Sequence, residues 1–214
     1  MTTDDSHREQ AAAGLEQLAS LVRAQSWRPD GTPSLPPTQA AVLRMLAGTA
    51  TPLRAREIAQ RLGVTAASLS DSLKALESKA WIEREPDPDD RRAATVRLTR
   101  SGRATVRQLR HPSRGMGSLL QGLDEGDIGA LLRVTQLMVR QAQRQGLATG
   151  ARTCLGCRYF QPDSTGDARR PHFCGFVQQP FGDPELRADC DDQSPADETQ
   201  IEANALRFRR PVPP

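Results

Sequence analysis

The sequence predicts a mainly α-helical protein with one small β-hairpin and a cysteine-rich C-terminal tail. Three observations support this fold class. Apolar residues recur at helical spacing through most of residues 9–144, and the period changes to that of β-strands only within residues 81–98. All four cysteines lie in the last 61 residues of the 214-residue chain. A helical region followed by a separate, cysteine-bearing segment is therefore expected.

The predicted elements before the tail follow from apolar periodicity and from helix start and stop signals. The segment between Trp27 and Pro37 contains four prolines and is predicted to be a loop. Gly63 is a stop signal for one helix, and Thr65 can cap the next. Helices are predicted over residues 9–25, 38–47, 54–62, 66–79, from Thr99 onward with a kink near Pro112 and Gly115, and over 124–144.

Charge is distributed unevenly along the chain. The net charge is only +3, but residues 1–150 carry 21 basic and 16 acidic side chains, whereas residues 151–214 carry 8 and 10. A polyanionic partner is thus more plausible for the front of the chain. The chain has no apolar run of the roughly 20 residues that cross a bilayer, and its N-terminus is polar and acidic. These features predict a cytoplasmic protein without a membrane segment.

Two short helices around Gly63 predict a helix-turn-helix. In the second helix Leu69, Leu73 and Leu76 form one apolar stripe that must face the core. The opposite side then carries short residues and one long cation, which suits a helix that enters a major groove about 12 Å wide. The same pattern also fits an ordinary solvated helix. The exposed set is Ala67, Ser68, Ser70, Asp71, Lys74 and Ser78.

A β-hairpin follows the second helix and ends in a pair of arginines. Strands are predicted at residues 81–83 and 93–98, joined by the loop EPDPDDRR. Eight arginines and no acid occur from Arg91 to Leu123. Arg91 and Arg92 at such a tip could contact phosphates or a narrow minor groove, with Asp90 pairing with one of them. Arginines on the following helix are more simply explained as solvent-facing.

Three stretches together resemble MarR-type winged helix-turn-helix regulators: LPPTQAAVLRMLAG, REIAQRLGVTAASLSDSLKALESKAWIERE and DDRRAATVRLTRSGRA. The resemblance is dense over residues 35–105 and weaker on either side. It implies a homodimer whose helices 9–25, 100–121 and 124–144 interlock, and a two-fold symmetric double-stranded DNA operator. By family habit, it also implies a repressor with a small-molecule effector.

Carried over by position, the resemblance implies that helix 66–79 contacts the major groove and the hairpin tip contacts the minor groove or phosphates. Two departures affect this expectation. Asp71 stands where the family often has arginine, and Ala80-Trp81 replaces a common glycine-leucine pair at the helix end. The predicted DNA-binding residues are Thr65, Ser68, Ser70, Asp71, Lys74, Arg91 and Arg92.

The tail has the spacing Cys154-x2-Cys157-x16-Cys174-x15-Cys190. Four thiolates complete the ligand shell of a zinc ion or of an iron–sulfur cluster, and His172 could replace one of them. The spacing and the nearby aromatics are similar to those of high-potential iron–sulfur proteins, although Asp189 and Asp191 flank the last cysteine instead of an aromatic residue. The predicted cofactor is an iron–sulfur cluster or zinc, with a slight preference for the cluster, and disulfides or free thiols are the alternatives.

These observations predict a homodimeric transcriptional regulator, not an enzyme, which the metal or cluster in the tail could tune. The sequence shows no nucleophile–base pattern and no phosphate-binding loop. A redox protein that uses the helical part as a dimer scaffold is the alternative, and a protein-binding module is a third. The predicted domains are residues 1–146, a linker at 147–152, a cysteine-rich segment at 153–198 and an extension at 199–214.

Overall fold

A computed structural model describes residues 3–25, 35–49, 51–90, 92–109, 115–147 and 150–209 of the protein. Most of the loop predicted between Trp27 and Pro37 lies outside these residues, as does the kink predicted near Pro112. The described residues form two packed units, a winged helical unit and a C-terminal unit that contains the cysteines.

The first unit combines three helices with a three-stranded antiparallel sheet. Strand β3 lies in the middle of the sheet, between β1 and β2, and Ile82 of β2 is paired with Leu98 of β3. The two-residue strand β1 was not predicted, because it is too short to show a period. In chain order the elements are α2 (Pro37–Gly48), β1 (Leu53–Arg54), α3 (Ala55–Leu62), α4 (Ala66–Ser78), β2 (Ile82–Pro86) and β3 (Ala94–Leu98).

The turn between α3 and α4 is built by two residues that the sequence singled out. Gly63 has φ 64°, in the left-handed region, and its N–H bonds back to the end of α3. Thr65 is the N-cap of α4, and its hydroxyl accepts a hydrogen bond from the N–H of Ser68 at 3.2 Å. These contacts set the angle at which α4 leaves the turn.

The leucine stripe of α4 faces the core, as predicted. Leu69, Leu73 and Leu76 are at most 1% exposed. They pack in one hydrophobic cluster that spans α2, α3, α4 and the sheet and includes Val42, Leu43, Ile58, Ile82 and Val96. Burial of this stripe leaves the opposite face of α4 toward solvent.

Four further helices flank this unit: α1 (Thr3–Gln25), α5 (Arg100–Leu109), α6 (Gly115–Leu120) and α7 (Glu125–Arg144). Asp124 caps α7 by accepting from the N–H of Asp127 at 2.8 Å. The apolar side of α1 is only partly covered, since Leu15, Leu18 and Leu21 remain 45%, 44% and 54% exposed. Among the described helices, none is long and apolar enough to cross a membrane.

The C-terminal unit is a small sheet packed with a last helix against α7. Its elements are β4 (Phe160–Gln161), β5 (His172–Cys174), β6 (Gln179–Phe181), a 3-10 turn (Asp183–Glu185) and α8 (Glu198–Phe208), with β5 central in the antiparallel sheet. The side chain of Gln136 on α7 is fully buried, accepts from the N–H of Leu155 and donates to the carbonyl of Arg187. Through these two bonds the unit is attached to α7.

Helix α8 closes the core of the C-terminal unit. Phe208 is fully buried, and its ring packs against Phe160 and His172 at centroid distances of 5.6 and 5.5 Å. The guanidinium of Arg133 on α7 stacks on the ring of Phe208 and donates a hydrogen bond to the backbone carbonyl oxygen of Phe208. Residues 199–209, assigned from sequence to a separate extension, therefore pack in the same core as the cysteine-rich segment.

Candidate nucleic-acid interface and four-cysteine site

The outward face of α4 carries the residues predicted to contact DNA. Thr65, Ser68, Asp71 and Lys74 are exposed, and Ser70 is half-buried. The ammonium of Lys74 lies 3.9 Å from a carboxylate oxygen of Asp71, and both side chains are more than two-thirds exposed. An exposed pair of this length contributes little, so Lys74 can leave Asp71 for a base edge or a phosphate.

The hairpin tip is shaped by two aspartates. Asp87 is almost fully buried, and Arg54 donates to its carboxylate at 2.6 Å while the N–H of Asp89 donates to it at 2.8 Å. Asp90 accepts from the backbone N–H of Arg92 at 3.0 Å. Asp90 thus organises the backbone of the turn, and its predicted pairing with the side chain of Arg91 falls outside the described residues. Arg91 lies outside the described residues.

The Arg54 guanidinium beside Asp87 holds the pKa of that carboxyl below its usual range, helped by the N–H of Asp89. The same ion pair raises the pKa of Arg54. Asp87 is therefore ionised at every pH at which a free aspartate is ionised. The ion pair with Arg54 joins β1 to the loop that follows β2.

Much of the positive charge of the wing is neutralised by neighbouring carboxylates. Arg97 on β3 contacts Glu83 at 3.0 Å and Glu85 at 2.5 Å across the strand pair, and Arg84 contacts Glu77 at 3.3 Å. Among the described residues, no acid forms an ion pair with the exposed guanidinium of Arg92. Arg92 is thus the cation of the described wing that remains available to a phosphate.

Arg56 is a DNA-contact candidate that sequence reasoning missed. It lies exposed in the first turn of α3, and it lines the same groove as Thr65 and Ser70. Within the described part of the chain no carboxylate pairs with it. In helix-turn-helix proteins the first helix crosses the phosphate backbone, so the position of Arg56 in the motif was the signal that could have identified it.

The C-terminal unit gathers the four cysteines around one cavity of about 470 Å³. Cys154 and Cys157 lie on one turn, in which the N–H of Cys157 bonds to the carbonyl of Cys154 at 2.9 Å. Cys174 ends β5, and Cys190 lies in the loop before α8. All four thiols are free of disulfides. Aromatic and apolar side chains complete the wall: Phe160, Phe176, Val177 and Phe181.

The thiols lie in a low-polarity environment with backbone donors nearby. Burial raises the pKa of the Cys154 thiol to about 11. The N–H of Arg187, which donates to the Cys154 sulfur at 3.2 Å, partly opposes this increase. Burial likewise raises the pKa of Cys190, and a backbone N–H of Asp192 opposes that effect. Cys154 and Cys190 thus each have a backbone N–H that favours the thiolate once a cation compensates its charge.

The two aspartates that flank Cys190 are both bound by one arginine. The guanidinium of Arg152 donates to Asp189 at 2.9 Å and to Asp191 at 2.6 Å, and the Arg152 carbonyl accepts from the N–H of Cys190 at 3.0 Å. Two carboxylates beside an anionic thiolate site would repel it. The guanidinium offsets one of their two negative charges and so weakens that repulsion.

His172 does not serve as a ligand in this arrangement, contrary to the alternative raised from sequence. Its ring is fully buried between Phe160, Phe181 and Phe208. Nδ1 accepts from the N–H of Asp163 at 3.3 Å, and Nε2 lies 2.7 Å from the carboxylate of Asp183. Both ring nitrogens are therefore occupied by structural hydrogen bonds.

A short segment joins the cysteine cavity to the helix-turn-helix. We call residues 150–152 the strap. The N–H of Gly150 donates to the carbonyl of Gln60 at the end of α3, and Gln143 of α7 donates to the carbonyl of Ala151 at 3.0 Å. A β-carbon on Gly150 would lie 2.5 Å from the backbone nitrogen of Arg61, so only glycine allows this approach. The last residue of the strap, Arg152, is linked to the cavity because its carbonyl accepts from the N–H of Cys190.

The glycine turn between α3 and α4, the buried leucine stripe and the three-stranded wing define a winged helix-turn-helix protein. The model of the MarR family matches residues 34–93 of the chain. These residues therefore match the family that their motifs predicted, and the winged helix-turn-helix is the fold in which they are arranged. A search among curated proteins found no match.

Solved structures of regulators share this fold. The transcriptional regulator SlyA is 20% identical to this chain in sequence, with a TM-score of 0.54. The alignment covers 63% of this chain and 95% of the SlyA chain. BldR from Sulfolobus solfataricus is 18% identical, with a TM-score of 0.55, and the alignment covers 66% of this chain and 99% of the BldR chain. PcaV from Streptomyces coelicolor, solved with its natural ligand, is 20% identical with a TM-score of 0.52, covering 66% and 98%. Each leaves about a third of this chain without a counterpart.

Proposed function

We propose that the protein is a homodimeric, sequence-specific DNA-binding transcriptional regulator, acting as a repressor, whose affinity for its operator depends on the state of the four-cysteine unit. The observation that carries the DNA-binding part is the exposed face of α4. Leu69, Leu73 and Leu76 hold the helix on the core, while Ser68 and Lys74 are exposed on the opposite side. Short polar residues around one cation permit close approach to base edges.

Arg92 and Arg56 support the same function. Both are exposed, and no carboxylate of the described residues pairs with either. Arg92 belongs to the wing and Arg56 to the first helix of the motif, which are the two places from which such proteins contact phosphates. Each adds a positive charge that no described carboxylate neutralises.

Two partly exposed apolar stripes support the homodimer. Leu15, Leu18 and Leu21 form one on α1, and Leu131, Val134 and Met138 form another on α7, each between 43% and 54% exposed. Apolar stripes of this length on long helices are typical of faces that a partner buries. A second copy of this chain is the partner that a two-fold operator requires.

The strap supports the dependence on the cysteine unit. Gly150 bonds to Gln60 at the end of α3, and Arg152 bonds to both the backbone of Cys190 and its two neighbouring acids. A change in the position of the Cys190 loop would thus act on the helix that precedes α4. Coupling of this kind requires that the two states of the unit place the strap differently.

The direct test is a gel shift with DNA from upstream of the protein's own gene against a scrambled duplex of equal length. We expect a preference for the upstream DNA that Lys74→Ala reduces by about 1–3 kcal/mol per half-site. Lys79→Ala is the matched control, because Lys79 is held by Gln39 at 3.0 Å and lies over the ring of Trp81. Equal binding of both duplexes at physiological salt would refute the proposal.

The homodimer is tested separately by light scattering coupled to size-exclusion chromatography. We expect the mass of two chains for the wild type and of one chain for a Leu18→Glu, Val134→Glu double variant. Glu125→Gln, at the start of α7, is the control and should remain dimeric. A wild-type protein that elutes as a monomer at micromolar concentration would overturn the dimer.

A further inference from the structure

The cavity of the C-terminal unit brings four free thiols together from three segments of chain. The turn at residues 154–157 supplies two, the end of β5 supplies Cys174, and the loop before α8 supplies Cys190. Convergence of separate segments on one space, in a unit with few buried apolar residues, is typical of a segment that folds around an inorganic centre.

The thiols do not form a ready-made site for a single metal ion. A tetrahedral zinc site with Zn–S bonds of about 2.3 Å brings its sulfurs to about 3.8 Å from one another. Among the described residues, no three His, Cys, Asp or Glu side chains form a group that could hold one metal ion. The four cysteines line one cavity of about 470 Å³, which has room for more than one metal atom. In a polynuclear cluster the ligands can lie further apart, since each thiolate binds a different metal atom.

The wall of the cavity offers what a cluster needs beyond its ligands. The N–H of Arg187 points at the sulfur of Cys154 at 3.2 Å, and N–H···S bonds of this kind stabilise cluster-bound thiolates. The hydroxyl of Thr153 is buried, its residue lines the cavity, and no group of the described residues bonds to it. A cluster sulfide or thiolate would be an acceptor for that hydroxyl.

The wall of the cavity carries charges of both signs. Arg170 and Arg187 line it together with Glu185 and Asp192, and Arg152 offsets one of the two negative charges of Asp189 and Asp191. Phe160, Phe176 and Phe181 limit the access of water to the thiols. Shielding by aromatic side chains protects iron–sulfur clusters from hydrolysis and tunes their potential.

We propose that Cys154, Cys157, Cys174 and Cys190 bind an iron–sulfur cluster of the [4Fe–4S] type. The cavity of about 470 Å³ offers room for a four-iron cluster with one thiolate on each iron. This inference deepens the proposed function by naming what the cysteine unit holds. It does not require DNA binding, and the experiment below separates the two.

The test is anaerobic purification of the full chain, with iron, zinc and acid-labile sulfide measured per chain. We expect a brown protein with about four irons and four sulfides. Apoprotein reconstituted with ferrous iron and sulfide should recover the same visible spectrum. A colourless protein with one zinc per chain and no sulfide would overturn the proposal, and so would a metal-free protein with two disulfides.

Variants identify the ligands. Cys174→Ser should lose most of the iron and the visible absorption, whereas Val177→Ala, at the exposed rim of the same cavity, should keep both. If Cys174→Ser fails to fold, the iron and sulfide content of the wild type still tests the proposal.

A gel shift on the same samples separates the cluster proposal from the regulator proposal. Colourless protein that selects its operator refutes the cluster alone, and brown protein that binds every duplex equally refutes the regulator alone.

Discussion

Arg54 of β1 and Asp87 at the end of β2 are 33 residues apart in the chain and form a contact of 2.6 Å between Nε and Oδ2. Asp87 also accepts from the N–H of Asp89, so one carboxylate ties the edge strand of the wing to the turn that carries Arg92. The orientation of the wing tip therefore depends on an ion pair at the base of the hairpin loop.

The first prediction concerns pH. The pKa of Asp87 is lowered in the folded protein, so its contribution to stability is present above the ordinary aspartate pKa of about 3.9 and is lost as pH falls through the lower, folded value. We expect Asp87→Asn to lower Tm at neutral pH, and the difference from wild type to shrink below about pH 4. Thermal unfolding followed by circular dichroism at several pH values measures this.

The control for that experiment is Asp89→Asn, because Asp89 is exposed and only its backbone N–H contacts Asp87. It should show little change in Tm at any pH. A constant difference between Asp87→Asn and wild type from pH 7 to pH 3 would contradict the assigned role of the ion pair.

The second prediction concerns phosphate contacts. Arg56→Ala and Arg92→Ala should each weaken binding to all duplexes by a similar factor, because phosphate contacts do not read sequence. Each should also reduce the slope of log K against log salt by about 1 per chain. Arg97→Ala is the matched control, since Glu83 and Glu85 already neutralise Arg97. A larger change in slope for Arg97→Ala than for Arg92→Ala would show that the wing contacts DNA differently.

The third prediction concerns Gly102 in the first turns of α5. A β-carbon at this position would collide with the backbone carbonyl of Trp81, which also accepts from the N–H of Thr99 at 3.1 Å. Gly102→Ala should destabilise the protein by about 3 kcal/mol, because backbone must move. Urea unfolding measures the loss, with Gly122→Ala as the control in open space. Equal stability of the two variants would show that α5 can shift freely.

The fourth prediction concerns Ala80, which follows α4 with φ 53°. This position is where the resemblance expects glycine, and the backbone keeps the left-handed conformation although alanine is disfavoured there. Ala80→Gly should stabilise the protein by about 0.5–1 kcal/mol, since relief of strain exceeds the entropy that glycine adds to the unfolded chain. Ala75→Gly, within α4, should instead destabilise by about 1 kcal/mol. Urea titrations that rank the two variants in the opposite order would refute this account.

The fifth prediction concerns the strap. Gly150→Ala should break the bond to Gln60, since its β-carbon would lie 2.5 Å from the backbone of α3. If the strap carries the coupling, removal of the proposed cluster by a chelator changes operator affinity in the wild type and changes it less in Gly150→Ala. Fluorescence anisotropy with labelled operator measures both. Gly156→Ala, where a β-carbon meets only ordinary contacts, is the control. An unaltered response in Gly150→Ala would remove the strap from the pathway.

The helix-turn-helix was predictable because its signals are local. The leucine spacing, Gly63 and Thr65 each act within a few residues, and the structure places them as expected. The pairing of Arg97 with Glu83 was accessible too, because a hairpin with this register sets them opposite one another. The number of arginines along the chain does not show this pairing, because Arg97 and Glu83 meet across two strands.

Other features depend on contacts between distant segments, which no periodicity records. Arg152 meets Asp189 and Asp191 only once the C-terminal unit has folded, and Gly150 meets α3 only once that unit has packed on α7. From sequence alone the acids looked unfavourable and residues 147–152 looked like a linker. The cysteine spacing predicted that the thiols share one site, but the size and lining of the cavity required coordinates.

The burial of Phe208 bears on how the C-terminal unit can be produced by itself. A chain that stops after residue 198 would lack the ring that packs on Phe160 and His172, and Arg133 would lose its stacking partner. Expression of the cysteine-rich segment for spectroscopy must therefore extend through residue 209 and retain α7. Shorter fragments would expose aromatic surface and aggregate, whatever metal is supplied.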